Sequence, residues 1–436
     1  MKKKLLSIGL ATACAANLFA GETLQLNLVP ERGYLVRNSP QEVVIKIDLA
    51  AVADRHKARR TPLNLAVVLD KSGSMTGAKL EKTKQAAMQL VDRLAPNDVF
   101  SLVIFSDEAR VLVPAQKVAD KDALKEKIES IQAGGSTALY AGVKTGAEQI
   151  SEYFSSQRIN RIILLSDGLA NVGPSTPRDL RRLGSDLAER GMAVTTIGVG
   201  DDYNEDLMAG LAEASDANYY YVRDTETLPE IFAKELGGML AVAARDVRIE
   251  ILCPNGVKPL GFIGRAERFE NQKAMVNLSQ FTTGQNRYLF LRCLVNGAKS
   301  ELARVNVKYK DELADGSEQS ASRVASIDFT DDQTVSEKSV NGEVVAQKEL
   351  ILTAVAKDEA MAQADAGNYR QAAQTLSAQN AALNRAYAVA PAGVQIQIRA
   401  ETNNLSDFTG QLDRGAYGSA SRKVMQEQSY NTRNSK

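Results

Sequence analysis

The stretch Leu63-Asn64-Leu65-Ala66-Val67-Val68-Leu69-Asp70-Lys71-Ser72-Gly73-Ser74 decides the reading of this chain. A nearly continuous apolar run of this length reads as a strand covered on both faces. It ends abruptly in one carboxylate and two hydroxyls at positions 70, 72 and 74. In a tight loop, residues i, i+2 and i+4 can turn their oxygens toward one point. Oxygen-only ligands suit a hard divalent cation. Such an ion needs more oxygens from elsewhere. Gly134-Gly135-Ser136-Thr137 offers a hydroxyl, and Ile162-Ile163-Leu164-Leu165-Ser166-Asp167-Gly168 offers a carboxylate after a second apolar run.

Around these pieces, strand and helix patterns alternate. Residues 63–69, 99–105, 161–166, 193–199 and 219–222 read as strands, and 80–94, 121–131, 138–153, 178–190, 205–214 and 227–240 as helices. Such alternation predicts an α/β unit with a doubly wound, mainly parallel sheet. Ligands of these sheets sit beyond the carboxyl ends of the strands, at the switch point. Asp70 and Asp167 both stand at such ends.

Asp70-x-Ser72-x-Ser74, Thr137 and Asp167 together resemble the metal-ion-dependent adhesion site of von Willebrand factor type A domains, with all five positions filled in order. The resemblance covers about residues 62–240. It implies Ser72 and Ser74 as direct ligands of Mg²⁺, with Mn²⁺ or Ca²⁺ as alternatives. It implies Thr137 as a conditional ligand, and Asp70 and Asp167 as charge-balancing groups that often act through water. One coordination position would remain open for an acidic side chain of a partner protein.

The flanking sequence reads differently. Residues 21–60 carry short strands, among them the β-branched run from Val43 to Leu49. Residues 243–335 return to alternating strands with turn signals at Pro254-Asn255-Gly256, Asn296-Gly297 and Asp315-Gly316. We expect one β-sandwich built from both stretches, with the metal domain of residues 61–242 inserted between them, as is frequent in exported bacterial members of the resembled family. Residues 336–400 read as a helical hairpin, and residues 401–436 as a polar tail. The stripe Leu228, Ile231, Phe232, Leu236, Met239 and Leu240 marks the last helix of the metal domain. In relatives that switch, such a helix slides when the site captures its ligand.

Composition excludes several classes. Of 436 residues, 53 are basic and 53 acidic, so no global field points to nucleic acid or a membrane surface. The single His56 lies in a basic run read as a solvated linker, so neither a Ser–His nor a Cys–His catalytic pair is available. Metal-assisted hydrolysis would need a base from Asp107, Asp201 or Asp202. The glycine-rich piece at residue 134 lacks the G-x-x-x-x-G-K-[ST] pattern of a nucleotide site. Residues 1–20 open with Met1-Lys2-Lys3-Lys4 before a short apolar run, as in a secretory signal cleaved after Ala20 or Ala15. A lipid anchor at Cys14 is the minor reading. No later run is long enough to span a bilayer. Cys253 and Cys293 both face a buried side, either as a disulfide or as two separate thiols. We therefore expect an exported, periplasmic, envelope-associated or secreted protein-binding module that is not an enzyme. A structural or assembly scaffold of the envelope is the alternative.

Overall fold

The computed structural model describes residues 23–52, 60–296 and 300–435. The expected signal segment, Cys14 and His56 lie outside these residues. The chain starts with β1 (Leu24–Pro30), β2 (Tyr34–Val36) and β3 (Gln41–Ala51). It then enters the α/β unit: β4 (Leu63–Asp70), α1 (Ala78–Arg93), β5 (Val99–Phe105), β6 (Ala109–Lys117), α2 (Lys121–Glu129), α3 (Leu139–Glu152) and β7 (Ile159–Ser166). α4 (Pro177–Glu189), β8 (Ala193–Val199), α5 (Glu205–Ala214), β9 (Tyr219–Val222) and α6 (Leu228–Leu240) complete it.

The six strands of this unit lie in the order β6-β5-β4-β7-β8-β9. All neighbours pair in parallel except β5 with β6. The antiparallel β6 does not follow from the sequence pattern, because Pro114 and mixed polarity hide a half-exposed edge strand. β4 is buried along its whole length. Its period of two splits it between cores: Leu63, Leu65, Val67 and Leu69 join one apolar cluster with α1 and α6, while Ala66 and Val68 join the other with α3. α3 packs so closely that a Cβ at Gly146 would lie 2.6 Å from Val68 Cγ2. That approach brings Thr137, just before α3, beside the end of β4.

α6 buries Leu228, Phe232, Leu236 and Met239. It also buries the Glu235 carboxylate, which accepts hydrogen bonds from Thr195 Oγ1 at 2.5 Å, Asn218 Nδ2 at 2.7 Å and Tyr220 OH at 3.2 Å. A one-turn slide of this helix would withdraw the carboxylate from all three donors. The apolar stripe alone does not reveal this anchor.

After Ala241 the chain runs through β10 (Val242–Leu252), β11 (Val257–Phe262), β12 (Lys273–Thr282), β13 (Asn286–Val295), β14 (Glu301–Asp311), β15 (Ser317–Ser326) and β16 (Asp328–Thr330). Two four-stranded antiparallel sheets result, β1-β3-β13-β11 and β12-β10-β14-β15. Their facing residues form one core that includes Ile45, Ile47, Ile249, Leu291 and Val305. β3 and β13 pair across the α/β unit, with Ile47 opposite Leu289. β16 pairs in parallel with β2. Cys253 and Cys293 are both free and buried. Their thiols are hydrogen-bonded to each other, which together with burial holds Cys293 protonated, well above the usual thiol range.

The C-terminal quarter is more helical than the sequence suggests. α7 (Gln333–Lys338) is followed by α8 (Gly342–Asp365), α9 (Tyr369–Tyr387), α10 (Ala392–Asp413) and α11 (Ser419–Asn434). The expected hairpin is thus four long helices, and residues 401–434 form no polar tail. Polar composition misleads here because α11 uses its charges as packing partners. Lys423 is buried and paired with Glu205 at 2.8 Å, and its ammonium lies 4.7 Å from the Tyr203 ring centroid. Arg422 pairs with Glu205, Asp206 and Asp365. Glu427 accepts the Tyr221 N–H of edge strand β9 at 3.0 Å. Tyr430 enters the α/β core, stacks edge-on against Tyr219 and donates to the Ala217 carbonyl at 2.5 Å.

Two outcomes follow. Tyr430→Ala should lower stability in urea titration by about 3–5 kcal/mol, and a fragment of residues 60–242, which lacks this cover over β9, should be less stable than the full chain. Refolding with excess oxidised glutathione should close Cys253 and Cys293 into an intramolecular disulfide, read as loss of both thiols to a thiol-reactive probe.

Candidate metal centre

The strand order reverses between β4 and β7, and their carboxyl ends carry Asp70 and Asp167. Both side chains are fully buried. The backbone after Asp70 is set by three main-chain bonds. Lys71 N–H donates to the Phe105 carbonyl at 2.9 Å, Gly73 N–H to the Gly135 carbonyl at 3.0 Å, and Gly134 N–H to the Lys71 carbonyl at 2.7 Å. Met75 is buried in the core and pins the turn into α1. The loop that ends in Thr137 is therefore laced to the loop that starts at Asp70.

The side chains form one connected group. Asp70 Oδ1 accepts the Ser72 N–H at 2.8 Å, and Asp70 Oδ2 accepts the Ser166 hydroxyl at 2.6 Å. The Ser72 and Ser74 hydroxyls lie 3.0 Å apart. Ser74 donates to Asp167 Oδ1 at 2.7 Å, and Lys79 Nζ reaches Asp167 Oδ2 at 2.5 Å. Thr137 is held by its backbone: its N–H donates to Asn171 Oδ1 at 2.9 Å and its carbonyl accepts the Asn171 N–H at 3.2 Å. A Cβ placed on Gly168 would lie 2.7 Å from Thr137 Oγ1 and 3.5 Å from Ser74 Oγ. Those two hydroxyls thus flank the same small space next to Asp167. All five residues singled out from the sequence come together at the sheet top.

The electrostatics are lopsided. Burial pushes the Asp70 carboxyl up from its ordinary range, and the nearby Asp167 charge adds to this, against the hydrogen bonds from Ser166 and Ser72. Asp70 accepts from the neutral donors Ser72 and Ser166, whereas Asp167 has the Lys79 ammonium. Among the described residues, no three of His, Cys, Asp and Glu gather where they could hold a metal. The oxygens that gather beside Asp70 and Asp167 are carboxylate and hydroxyl, a donor set that fits a hard divalent cation.

Three neighbours were not foreseen. Ser166, Lys79 and Asn171 carry no pattern by themselves, and only the fold brings them to the site. Asp107, weighed above as a base, instead accepts the Ser136 N–H at 3.0 Å, which holds its carboxyl below the usual range. Asp201 accepts the Tyr221 hydroxyl at 2.5 Å. Both are engaged in loop structure.

Residues 64–234 match the profile of the von Willebrand factor type A domain, and this part of the chain belongs to that family. Among curated proteins, the chain is 31% identical to the uncharacterized protein sll0103 of Synechocystis sp. over 280 residues, 61% of this chain and 66% of that protein. It is 28% identical to the uncharacterized protein YfbK of Escherichia coli over 283 residues, 63% of this chain and 49% of that protein. The matches thus span about half to two thirds of those relatives. Among solved structures, a von Willebrand factor type A protein from Catenulispora acidiphila shares the fold over 89% of this chain and 91% of its own, with a TM-score of 0.70 at 20% identity. The fold in common is the mainly parallel sheet together with the antiparallel sheets and C-terminal helices. None of the described helices is long and apolar enough to cross a membrane.

The upward shift of the Asp70 pKa sets a sign. A carboxyl whose folded value lies above its unfolded one favours the fold at low pH and loses that contribution as pH rises through the folded value. In chelator at pH 7, Asp70→Asn should therefore melt at a higher temperature than wild type, with the gap closing toward pH 4. A separate steric outcome concerns Gly168→Ala, which should cost about 1–3 kcal/mol of stability in denaturant titration because Thr137 must move.

Proposed function

We propose that this chain is an exported, non-enzymatic protein-binding module in which Asp70, Ser72, Ser74, Thr137 and Asp167 hold a divalent cation, Mg²⁺ first, with Mn²⁺ or Ca²⁺ as alternatives. Domains of this family generally bind proteins and commonly carry a divalent metal at this position. The observation that carries the reading is the convergence of the Ser74 and Thr137 hydroxyls on one space beside two buried carboxylates. Ser74 and Gly73 are exposed there, so an outside group can approach. The bound cation would supply Lewis acidity toward an anionic oxygen. The protein residues orient the oxygens, offset the cation's charge and exclude bulk water from the buried side. An acidic side chain of a partner protein is the group such a site receives. The α/β domain would work as an insertion between strands of the antiparallel unit, because β3 and β13 pair from either side of it.

A scaffold reading has one observation in its favour. Lys79 already supplies Asp167 with a cation, so the sheet top is partly neutralised without metal. The two readings separate in solution. On the binding reading, Mg²⁺ or Mn²⁺ at about 100-fold excess over its dissociation constant stabilises the fold by ~2.7 kcal/mol in thermal melts. Asp70→Asn abolishes that gain, and chelator or Thr137→Ala releases the partner from a pull-down of envelope extract. An identical melting curve with metal and with chelator supports the scaffold.

A further inference from the structure

We propose that Lys79 is a built-in counterion that sets how tightly the site holds its cation, weakening divalent binding so that the loaded site keeps a net positive charge toward an anionic partner group. This rests on the metal reading above.

The geometry is specific. Asp167 divides its two oxygens: Oδ1 accepts from the Ser74 hydroxyl at 2.7 Å, and Oδ2 accepts from the Lys79 ammonium at 2.5 Å. The carboxylate is fully buried, and the lysine side chain is 28% exposed. A buried carboxylate needs such a partner, since an unpaired charge away from water is costly. Lys79 follows Gly77, whose φ of +84° starts α1, so its stem rises from the first helical turn directly over the site. The far end of the side chain is closed off by the loop after β8: a Cβ at Gly200 would lie 3.5 Å from the ammonium. Lys79 is thus seated between two loops of the sheet top. Asp70, by contrast, is recorded with the Ser72 and Ser166 donors alone.

The charge count follows. Lys71 and Asp107 of the neighbouring loops offset each other, so with both buried carboxylates ionised Asp70, Asp167 and Lys79 leave two negative charges and one positive one at the sheet top. A divalent cation then finds a site with one net negative charge, and the loaded site carries one net positive charge. Without Lys79 the site would attract the cation more strongly and be neutral once loaded. Because Ser74 and Lys79 occupy different oxygens of Asp167, Lys79 need not leave Asp167 when the cation enters. Its effect is electrostatic repulsion across a partly buried distance, where charges interact more strongly than in water.

The test measures Mn²⁺ affinity of the full chain by calorimetry, with metal-free circular dichroism as a check of fold. Lys79→Met removes the charge and most of the hydrogen bond. Lys79→Gln removes the charge but keeps an amide donor for Asp167, and serves alone if the Met variant misfolds. Lys79→Arg keeps the charge. The expected result is about tenfold tighter Mn²⁺ binding in the Met and Gln variants, with the Arg variant close to wild type. Wild-type binding with unchanged or weaker binding in the neutral variants overturns the proposal alone, leaving Lys79 as a positioning group for Asp167. Tighter binding in the Arg variant overturns it too, since charge would not be the cause. No Mn²⁺ binding by wild type or any variant overturns the metal reading and this proposal with it.

Discussion

Two carboxylates buried side by side at the ends of adjacent parallel strands are the constraint on which the sheet top depends. Asp70 and Asp167 are brought there by the pairing of β4 with β7, and neither can be moved outward without unravelling a central strand. Their charges must be met on the spot. Ser72, Ser74 and Ser166 donate hydrogen bonds, and Lys79 donates a full charge. The loops around them are closed by main-chain bonds, which hold the oxygens in place. Burial raises the Asp70 carboxyl, in keeping with the cost of holding a carboxylate away from water.

The rest of the molecule restrains the α/β unit at several points. Asp216 forms a two-pronged pair with Arg287 of β13 and accepts the Ser279 N–H of β12. Arg161 of β7 reaches Gln280 of β12 at 2.9 Å. α11 then covers the outer strand β9, satisfying the Tyr221 N–H that an open sheet edge would leave exposed. Glu235 anchors α6 to β8 and β9, and α6 continues through Ala241 into β10. The sheet top is thus set on a frame braced from three sides, and motion there would have to break specific buried hydrogen bonds to propagate.

Strand and helix positions of the α/β unit were readable because β4, β5, β7 and β8 are buried on both faces and leave uninterrupted apolar runs. That Asp70, Ser72, Ser74, Thr137 and Asp167 would meet was expected from the family resemblance, and the strand ends after β4 and β7 agree with it for Asp70 and Asp167. Edge strand β6 escaped notice, since a half-exposed antiparallel strand containing a proline resembles a loop. α10 and α11 escaped it as well, because their burial uses Lys357, Arg422 and Lys423 in ion pairs where a pattern reading expects leucine.

What the chain's sequence determined by itself is therefore the local and the periodic: the apolar runs, the turn chemistry after Asp70, and the spacing that puts Ser72 and Ser74 on one loop. What only the tertiary structure decided is which distant groups answer a buried charge. Lys79 on Asp167, Ser166 on Asp70, Asn171 on Thr137 and Glu235 beneath the sheet are each one polar residue among many in the sequence. Their partners are chosen by desolvation, which acts on the assembled interior and leaves no period in the chain.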